Sequence, residues 1–349
     1  MAGPDSEFDL IRRYFDAPAA ARVSGAGVRL GVGDDAALLA LREGHELVAS
    51  VDTLVEGTHF FPDHPAASVG HKALASNLSD LAAMGAEPSG ALLSLTLPRV
   101  DHAWLAAFSQ GFLALASAAD VPLVGGDTTR GPLAVSVTVL GQVPAGQALR
   151  RAGARPGDRL VVTGALGGAA FGLEQETRRR AAGTGAANAD APACERLFWP
   201  NARLEVGRML RNRARAVIDV SDGLLADLGH LCAASGCGAR IDWPVVPLDP
   251  LLAQAPPAEA RAAALGGGED YELLFALPAD ESLDLLAFGV DAPLTVIGEF
   301  TETAGIVVVD AAGQPLDVAR AGHDHFAGAE ANKPEAMPTG QGTDVEARD

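Results

Sequence analysis

The segment "SVGHKALASNLSDLAAMGA", residues 68–86, decides the fold class, because it is rich in alanine and leucine at helical spacing and lies between two strand-like segments. Those segments are "HELVASVDTLV" (45–55) and "ALLSLTLP" (91–98). A second helix is predicted at 101–120, followed by a strand, a glycine turn and a strand over 121–141. The first half of the chain is therefore predicted to mix α and β structure.

The second half repeats such units after a turn-rich stretch at 142–158. A strand, a glycine turn and a helix are predicted over 159–176, and again over 214–236. Residues 178–192 have the composition of a flexible insertion. Residues 266–278 are predicted to form a glycine turn followed by a strand.

This pattern predicts three parts of the chain. They are an N-terminal dimerisation and metal/ATP domain (1–148), a C-terminal α/β domain (149–328) and a disordered tail (329–349).

Composition limits the partners. The chain has 349 residues, is 48% hydrophobic and carries a formal net charge of −19, which argues against nucleic acid and membrane surfaces as partners. Its two lysines, Lys72 and Lys333, leave almost no scope for a lysine-based phosphate clamp. Three scattered cysteines, expected to be small buried residues, do not make a disulfide framework. With no signal-peptide pattern at the N-terminus, we expect a reduced, cytoplasmic protein.

Acidic residues recur at turns beside apolar segments. The six stretches are "GVGDDAALL" (Asp34, Asp35), "SVDTLVEGTHF" (Asp52, Glu56, His59), "NLSDLAAMGA" (Asp80), "VGGDTTRG" (Asp127), "IDVSDGLLADL" (Asp219, Asp222) and "GGGEDYELLF" (Glu269, Asp270). Buried carboxylates must be paired or bind metal, and few cations lie nearby in the sequence, chiefly Arg130 and Lys72. All-oxygen ligand sets suit Mg²⁺ or Mn²⁺.

Each acidic residue also has a structural interpretation. Asp80 and Asp222 could begin helices as caps, Asp127 could lie in a turn, and Asp34 with Asp35 could open a hairpin. Six such turns together favour a polyanion site, in which metals neutralise the acids and helix N–H groups face phosphates. Neither a Walker phosphate loop nor a G-x-S-x-G nucleophile motif occurs.

Seven motifs then occur in an order similar to that of the thiamine-monophosphate kinases, within the ATP-binding superfamily of aminoimidazole ribonucleotide synthetase and selenophosphate synthetase. They are "GVGDDAALL", "SVDTLVEGTHF", "KALASNLSDLAAMGAEP", "LVGGDTTRGPLAVSVTVLG", "RAGARPGD", "VIDVSDGLLADL" and "GGEDYELLF". The resemblance extends over residues 6 to 327 and is specific as a set, although each motif alone is weak.

The resemblance implies an α+β, two-domain synthetase-like fold. Its N-terminal mixed α/β domain would form a barrel-like sheet with a second subunit, giving a homodimer, and a C-terminal α/β domain would pack beside it. The implied activity is direct transfer of the γ-phosphoryl group of ATP to thiamine monophosphate, giving thiamine diphosphate and ADP, with several Mg²⁺ ions in the cleft.

The resemblance also implies roles for individual residues, none of them a certain protein nucleophile. The implied magnesium shell is Asp35, Ser50, Val51 through its carbonyl, Asp52, Asp80, Asp127, Asp219 and Asp222. The implied ATP contacts are Gly126, Asp127, Arg151 and Ser221. The implied substrate contacts are His59, Glu269 and His323.

One departure concerns His323, which in "GHDHF" stands where the family has a stacking aromatic residue. Two alternatives stay open. One is a sibling ATP-dependent synthetase such as aminoimidazole ribonucleotide synthetase. The other is a non-catalytic protein that binds magnesium and nucleotide.

Overall fold

A computed structural model describes residues 6–15, 27–185, 187–188, 191–283 and 292–318. Its described helices are α1 (Glu7–Tyr14), α2 (Ala66–Ala83), α3 (His102–Ala118), α4 (Gly168–Ala182), α5 (Glu195–Phe198), α6 (Leu204–Leu210), α7 (Leu224–Ser235) and α8 (Pro257–Gly266). Its described strands are β1 (Val28–Leu30), β2 (Leu38–Leu39), β3 (His45–Val55), β4 (Glu87–Leu97), β5 (Leu123–Arg130), β6 (Ala134–Pro144), β7 (Arg159–Thr163), β8 (Ala216–Val220), β9 (Gly238–Asp242), β10 (Glu272–Leu277), β11 (Leu294–Thr301) and β12 (Gly305–Val309).

The N-terminal half forms a four-stranded sheet in the order β3-β6-β4-β5. Alternate residues of β6, such as Val135, Val137 and Val139, are fully buried against α2 and α3, as expected for a sheet with one covered face. The opposite face is open, and β3 and β5 are its edge strands.

Local sequence explains how α3 begins and how it packs. The Asp101 carboxylate accepts hydrogen bonds from the N–H groups of Ala103 and Trp104, which caps the helix. Gly111 allows close approach to α2, since a Cβ atom there would lie 1.9 Å from the carbonyl oxygen of Ala67.

The C-terminal half forms a six-stranded sheet in the order β12-β9-β11-β7-β10-β8. Neighbouring strands are antiparallel except β12 and β9, which are parallel. Leu224, Leu228 and Leu231 of α7 pack in a large core with one face of this sheet. Ala82 and Ala83, at the end of α2, belong to a second core with the other face. Helix α2 therefore contacts both sheets and holds them together.

Most predicted elements are confirmed, and β3 matches residues 45–55. The three cysteines are free and buried, as expected. The strand, glycine turn and strand predicted over 121–141 are confirmed: the chain turns at 131–133, which includes Gly131, whereas Gly125 and Gly126 lie inside β5. The insertion at 178–192 is partly wrong, because α4 continues to Ala182.

Several expectations are not resolved by one chain. The four-stranded sheet is open here, so the barrel-like closure stays a prediction for a dimer. The division at 148/149 also stays a prediction, and the tail from 329 and His323 lie outside the described residues. None of the described helices combines the length and apolar character needed to cross a bilayer.

A buried ion pair ties α6 to the C-terminal sheet. Arg203 donates to both carboxylate oxygens of Glu272 at 2.6 Å, and the Thr163 hydroxyl donates to the same carboxylate at 2.6 Å. The Glu272 side chain is 1% exposed. Gly164 makes room for it, because a Cβ atom there would lie 2.0 Å from Glu272 Oε1.

Glu272→Ala is expected to lower the free energy of unfolding by about 3–5 kcal/mol, because it leaves the buried guanidinium without this carboxylate. Urea unfolding of both proteins measures the difference. Glu174→Ala is the control: it breaks an exposed pair with Arg178, which should change stability by less than about 1 kcal/mol. Equal losses in the two variants would contradict the assignment.

Candidate active site between the two sheets

The last turns of α2 place polar side chains between the two sheets. Asp80 accepts a hydrogen bond from the Ser50 hydroxyl of β3. The neighbouring Ser79 hydroxyl donates to Asp219 Oδ2 of β8 at 2.8 Å. One turn of helix thus reaches acidic or hydroxyl groups on both sheets.

The same helix positions the third carboxylate, Asp52 of β3. The Asp52 N–H donates to Asn77 Oδ1 at 3.1 Å, and Asn77 Nδ2 in turn donates to the carbonyl of Ala73 at 2.9 Å. The nearby Ser76 side chain acts to lower the pKa of the Asp52 carboxylate, against the effect of burial. These α2 side chains were not selected from the sequence, where they read as ordinary polar positions of a helix.

A cavity of about 1080 Å³ opens beside these carboxylates. The predicted site residues on its lining are Val51, Asp52, His59, Asp80, Asp219, Ser221, Asp222 and Glu269. The volume is large enough for two small molecules, since single ligand pockets measure about 300–1,000 Å³. The fold therefore brings most of the predicted residues to one cavity.

Burial and mutual repulsion act on these acids together. The pKa of Asp52 is raised to about 6, first by burial and then by the charge of Asp80. Burial likewise raises the pKa of Asp219 to about 7, again with Asp80 as the next cause. Burial also raises the pKa of Asp80, against the opposing effects of Ser50 and of the positive charge of Arg151. The cluster favours neutralisation by protons or cations.

The loop between β8 and α7 is held from inside by Asp227, which sequence reasoning missed. Its Oδ2 atom accepts three hydrogen bonds of 3.1 Å, from the N–H groups of Ser221, Asp222 and Gly223. The cap interpretation of Asp222 is wrong, because Gly223 occupies the cap position without a side-chain bond. An acidic residue four positions into a helix was the signal available.

The loop before β10 is strained and anchored. Glu269 and Tyr271 have φ angles of 68° and 51°, a region that costs about 1–3 kcal/mol per residue outside glycine. Their N–H groups donate to the carbonyls of Ser221 and Val220 at 2.7 and 2.8 Å, which holds the loop against the β8–α7 loop.

Adjacent acids of this loop have different partners. Asp270 accepts from the N–H groups of Gly167 and Ala169 at the start of α4, and burial raises its pKa to about 7. Glu269 pairs with Lys72 at 2.6 Å. The expectation that helix N–H groups face phosphates is therefore wrong for these amides and those bound by Asp227, since carboxylates of the chain occupy them.

Asp127 and Asp35 lie away from this cavity within one chain. Strand register aligns Asp127 with Ser94, Ser136 and Thr53 on the open face, whereas Asp52 faces the helices. Three strand spacings, roughly 14 Å, separate β5 from β3. The turn interpretation of Asp127 is wrong, because it lies inside β5.

Two neighbouring positions have clear structural roles. Gly126 has φ 155° and no space for a side chain, because a Cβ atom would lie 1.9 Å from the Leu93 carbonyl oxygen. Asp35 lies in the loop of the β1–β2 hairpin, where its N–H donates to Asp34 Oδ1 at 2.8 Å. The hairpin interpretation is thus confirmed, and Asp34 holds the loop. The cap interpretation of Asp80 is wrong, because Asp80 lies in the last turn of α2.

The carboxylates of this cavity could bind Mg²⁺ only together with ligands from outside the chain, such as water or substrate phosphate. No group of three His, Cys, Asp or Glu side chains in the described ranges can hold a metal ion between them. Mg²⁺ usually binds one or two carboxylates and keeps water or substrate phosphate as its remaining ligands. Buried oxygen donors with raised pKa values, arranged along a cavity wall, fit that mode.

The fold and this acidic cavity define the class of protein. Residues 33–143 match the family described as "AIR synthase related protein, N-terminal domain", and residues 155–311 match its C-terminal domain. The chain therefore belongs to the AIR synthase related proteins.

Comparison with individual proteins narrows the assignment within this family. The chain is 46% identical over 324 residues to the thiamine-monophosphate kinase of Escherichia coli K12, covering 92% of this chain and 98% of that protein. It is 34% identical to the Bacillus subtilis thiamine-monophosphate kinase, covering 92% and 99%. Within its family, the chain belongs with the thiamine-monophosphate kinases.

Solved structures agree. The crystal structure of thiamine-monophosphate kinase from Stenotrophomonas maltophilia K279a has a TM-score of 0.78 and 45% identity, covering 87% of this chain and 96% of that chain. AaThiL complexed with AMPPCP and TMP has a TM-score of 0.71 and 28% identity, covering 91% and 96%. The two-domain synthetase fold is confirmed.

Asp219→Asn is expected to stabilise the metal-free protein at pH 8 by roughly 1–4 kcal/mol, because it removes a buried charge. The pKa of Asp219 is about 7 in the folded protein against an ordinary 3.8. The folded state therefore holds the proton more tightly, and the wild type loses stability as the pH rises from about 4 to about 7.

Urea unfolding in a chelator at several pH values measures both effects. Asp242→Asn is the control, because its carboxylate pairs with Arg240 on the half-exposed surface and its loss should not stabilise. An Asp219→Asn protein that is less stable than the wild type at pH 8 would contradict the buried-charge argument.

Proposed function

We propose that this chain transfers the γ-phosphoryl group of ATP to thiamine monophosphate, giving thiamine diphosphate and ADP. The 46% identity to the E. coli thiamine-monophosphate kinase over 92% of the chain carries the proposal. The acidic cavity, with room for two ligands, supports it. Phosphoryl transfer depends on positioning and charge neutralisation and needs no protein nucleophile. A cytoplasmic location stays a prediction.

We further propose that magnesium ions accompany the phosphates of both substrates. Bound there, Mg²⁺ would neutralise charge on the phosphoryl group during transfer. Asp52, Asp80, Asp219 and Asp222 would hold the ions at the cavity wall, and Asp227 keeps the loop of Asp222 in place. Ser50 and the Val51 carbonyl extend the proposed shell, and Asp35 and Asp127, which lie away from this cavity within one chain, stay predicted members of it.

The remaining proposed contacts divide between the substrates. Arg151 supplies positive charge near Asp80 and Asp219, which suits the phosphates of ATP, and Ser221 lines the same cavity. His59 and Glu269 line the cavity as proposed contacts of thiamine monophosphate. Lys72 orders this region, because its Nζ atom pairs with Glu269 and also donates to the His59 carbonyl at 3.4 Å.

Asp80→Asn and Asp222→Asn are each expected to lower turnover by at least about a hundredfold, because each removes charge that neutralises the transferring phosphates. Chromatography of ADP and thiamine diphosphate measures turnover, and EDTA should abolish it in the wild type. Melting curves confirm folding. Wild-type-like turnover in both variants, or loss of folding in both, would contradict the assignment.

We also propose a homodimer that completes the site. The implied magnesium shell contains both Asp52 and Asp127, yet one chain holds them on opposite faces and opposite edges of a sheet. The open face exposes apolar residues, with Leu47 59% and Val51 60% exposed. Pairing of β5 from a second copy against β3 would cover exposed edges. It would also bring β5 of the partner subunit, which carries Asp127 and Gly126, to the β3 edge that carries Val51 and Asp52.

Complementation tests this arrangement. Asp127→Asn and Asp80→Asn are each expected to be inactive alone, whereas co-expression should restore up to about a quarter of wild-type activity through mixed dimers with one intact site. Co-expressed Asp80→Asn and Asp222→Asn form the control and should stay inactive, because both changes fall in the same chain's cavity wall. No recovery in the first pair would contradict a shared site.

A further inference from the structure

One wall of the cavity carries a histidine with an unsatisfied ring nitrogen. His64 lines the cavity with Phe61, Leu173 and Leu197. The residue is 8% exposed, and its Nε2 atom is buried and has no hydrogen-bond partner. Buried polar atoms are nearly always hydrogen-bonded, because an unmade bond costs stability. Side-chain packing alone therefore does not explain why a nitrogen without a hydrogen bond is buried here.

Two aromatic rings pack against the imidazole of His64. Phe61 and Phe198 both meet it edge to face, with centroid distances of 5.2 and 4.8 Å. The torsion that turns an imidazole about its Cβ–Cγ bond has broad minima, so the ring can present Nε2 to a ligand without movement of the backbone.

The ring is neutral near pH 7. The pKa of His64 is lowered to about 4, first by burial and then by the charge of Lys72, against the carboxylates of Glu176 and Glu269. A neutral imidazole offers one N–H donor and one acceptor nitrogen. It therefore suits an uncharged polar group better than a phosphate.

The position of His64 assigns it to one of the two substrates. It lies on the loop that carries His59, and the charges of Lys72 and Glu269 act on it. These are the residues proposed above to surround the acceptor. An apolar, aromatic wall with one neutral hydrogen-bonding group fits a flat nitrogen heterocycle.

We propose that His64 Nε2 hydrogen-bonds the aminopyrimidine ring of the acceptor substrate, seated against the wall of Phe61, and thereby determines specificity for that ring. This inference rests on the proposed kinase function. His64 is a specificity residue and takes no part in phosphoryl transfer, so its loss affects acceptor binding and leaves ATP binding alone.

Two variants and two acceptors test the proposal. His64→Phe keeps an aromatic ring between Phe61 and Phe198 but removes the nitrogen, and His64→Gln keeps a polar nitrogen or oxygen near its place. The acceptors are thiamine monophosphate and its 4-oxo analogue, in which the pyrimidine amino group is replaced by a carbonyl. The KM of each acceptor, the KM of ATP and kcat are measured, with melting curves for each protein.

His64→Phe is expected to raise the KM of thiamine monophosphate about tenfold, the factor of one hydrogen bond, with kcat and the KM of ATP unchanged. His64→Gln should restore the KM to within about threefold of the wild type, and His64→Phe should lose the preference for the amino over the oxo acceptor.

An unchanged preference in His64→Phe would overturn the inference, and so would a rise in the KM of ATP, which would place adenine at this wall. If His64→Phe does not fold, the acceptor preference of His64→Gln decides in its place. A wild type that phosphorylates neither acceptor would overturn the proposed function instead, so the two failures are distinguishable.

Discussion

The main physical constraint on this structure is the electrostatic repulsion among three buried carboxylates, which two sheets and one helix hold close together. Asp52, Asp80 and Asp219 come from β3, α2 and β8, and burial raises the pKa of each. A cluster of buried carboxylates destabilises the folded state when the carboxylates are ionised. Such a cluster is retained only where another role, such as ligand binding, requires it. Under the proposed function, polyphosphate substrates with their cations would supply that requirement, because the cations would replace repulsion among the carboxylates with attraction.

Helix α2 holds the repelling carboxylates in place. Its side chains reach β3 through Asn77 and β8 through Ser79, so the acids are held at fixed positions between two separately built sheets. The buried core around Ala82 and Ala83 opposes separation of the sheets. Apolar packing thus keeps the carboxylates close together, although their charges repel one another.

Acidic residues next to one another in sequence have unrelated tasks. In the loop before β10, Glu269 pairs with Lys72 and Asp270 holds the start of α4, whereas Glu272, the first residue of β10, binds Arg203. In the loop before α7, Asp222 lines the cavity, and Asp227 in the first turn of α7 binds the loop amides. The backbone amides at the starts of these helices are thereby used internally, so under the proposed function cations would bind the phosphates.

The sequence by itself determined the order of helices and strands, because periodicity of apolar residues is a local property, and β3 was predicted at its observed bounds. It also showed acids beside apolar segments, although Asp52 and Asp127 lie inside strands and not at turns. Only the tertiary structure decided which acids meet. Strand register and sheet order place Asp52 in the cavity and Asp127 on the far edge, and the packing of α2 between the sheets brings Ser79 to Asp219. These pairings depend on contacts between residues distant in the chain, which no local pattern records.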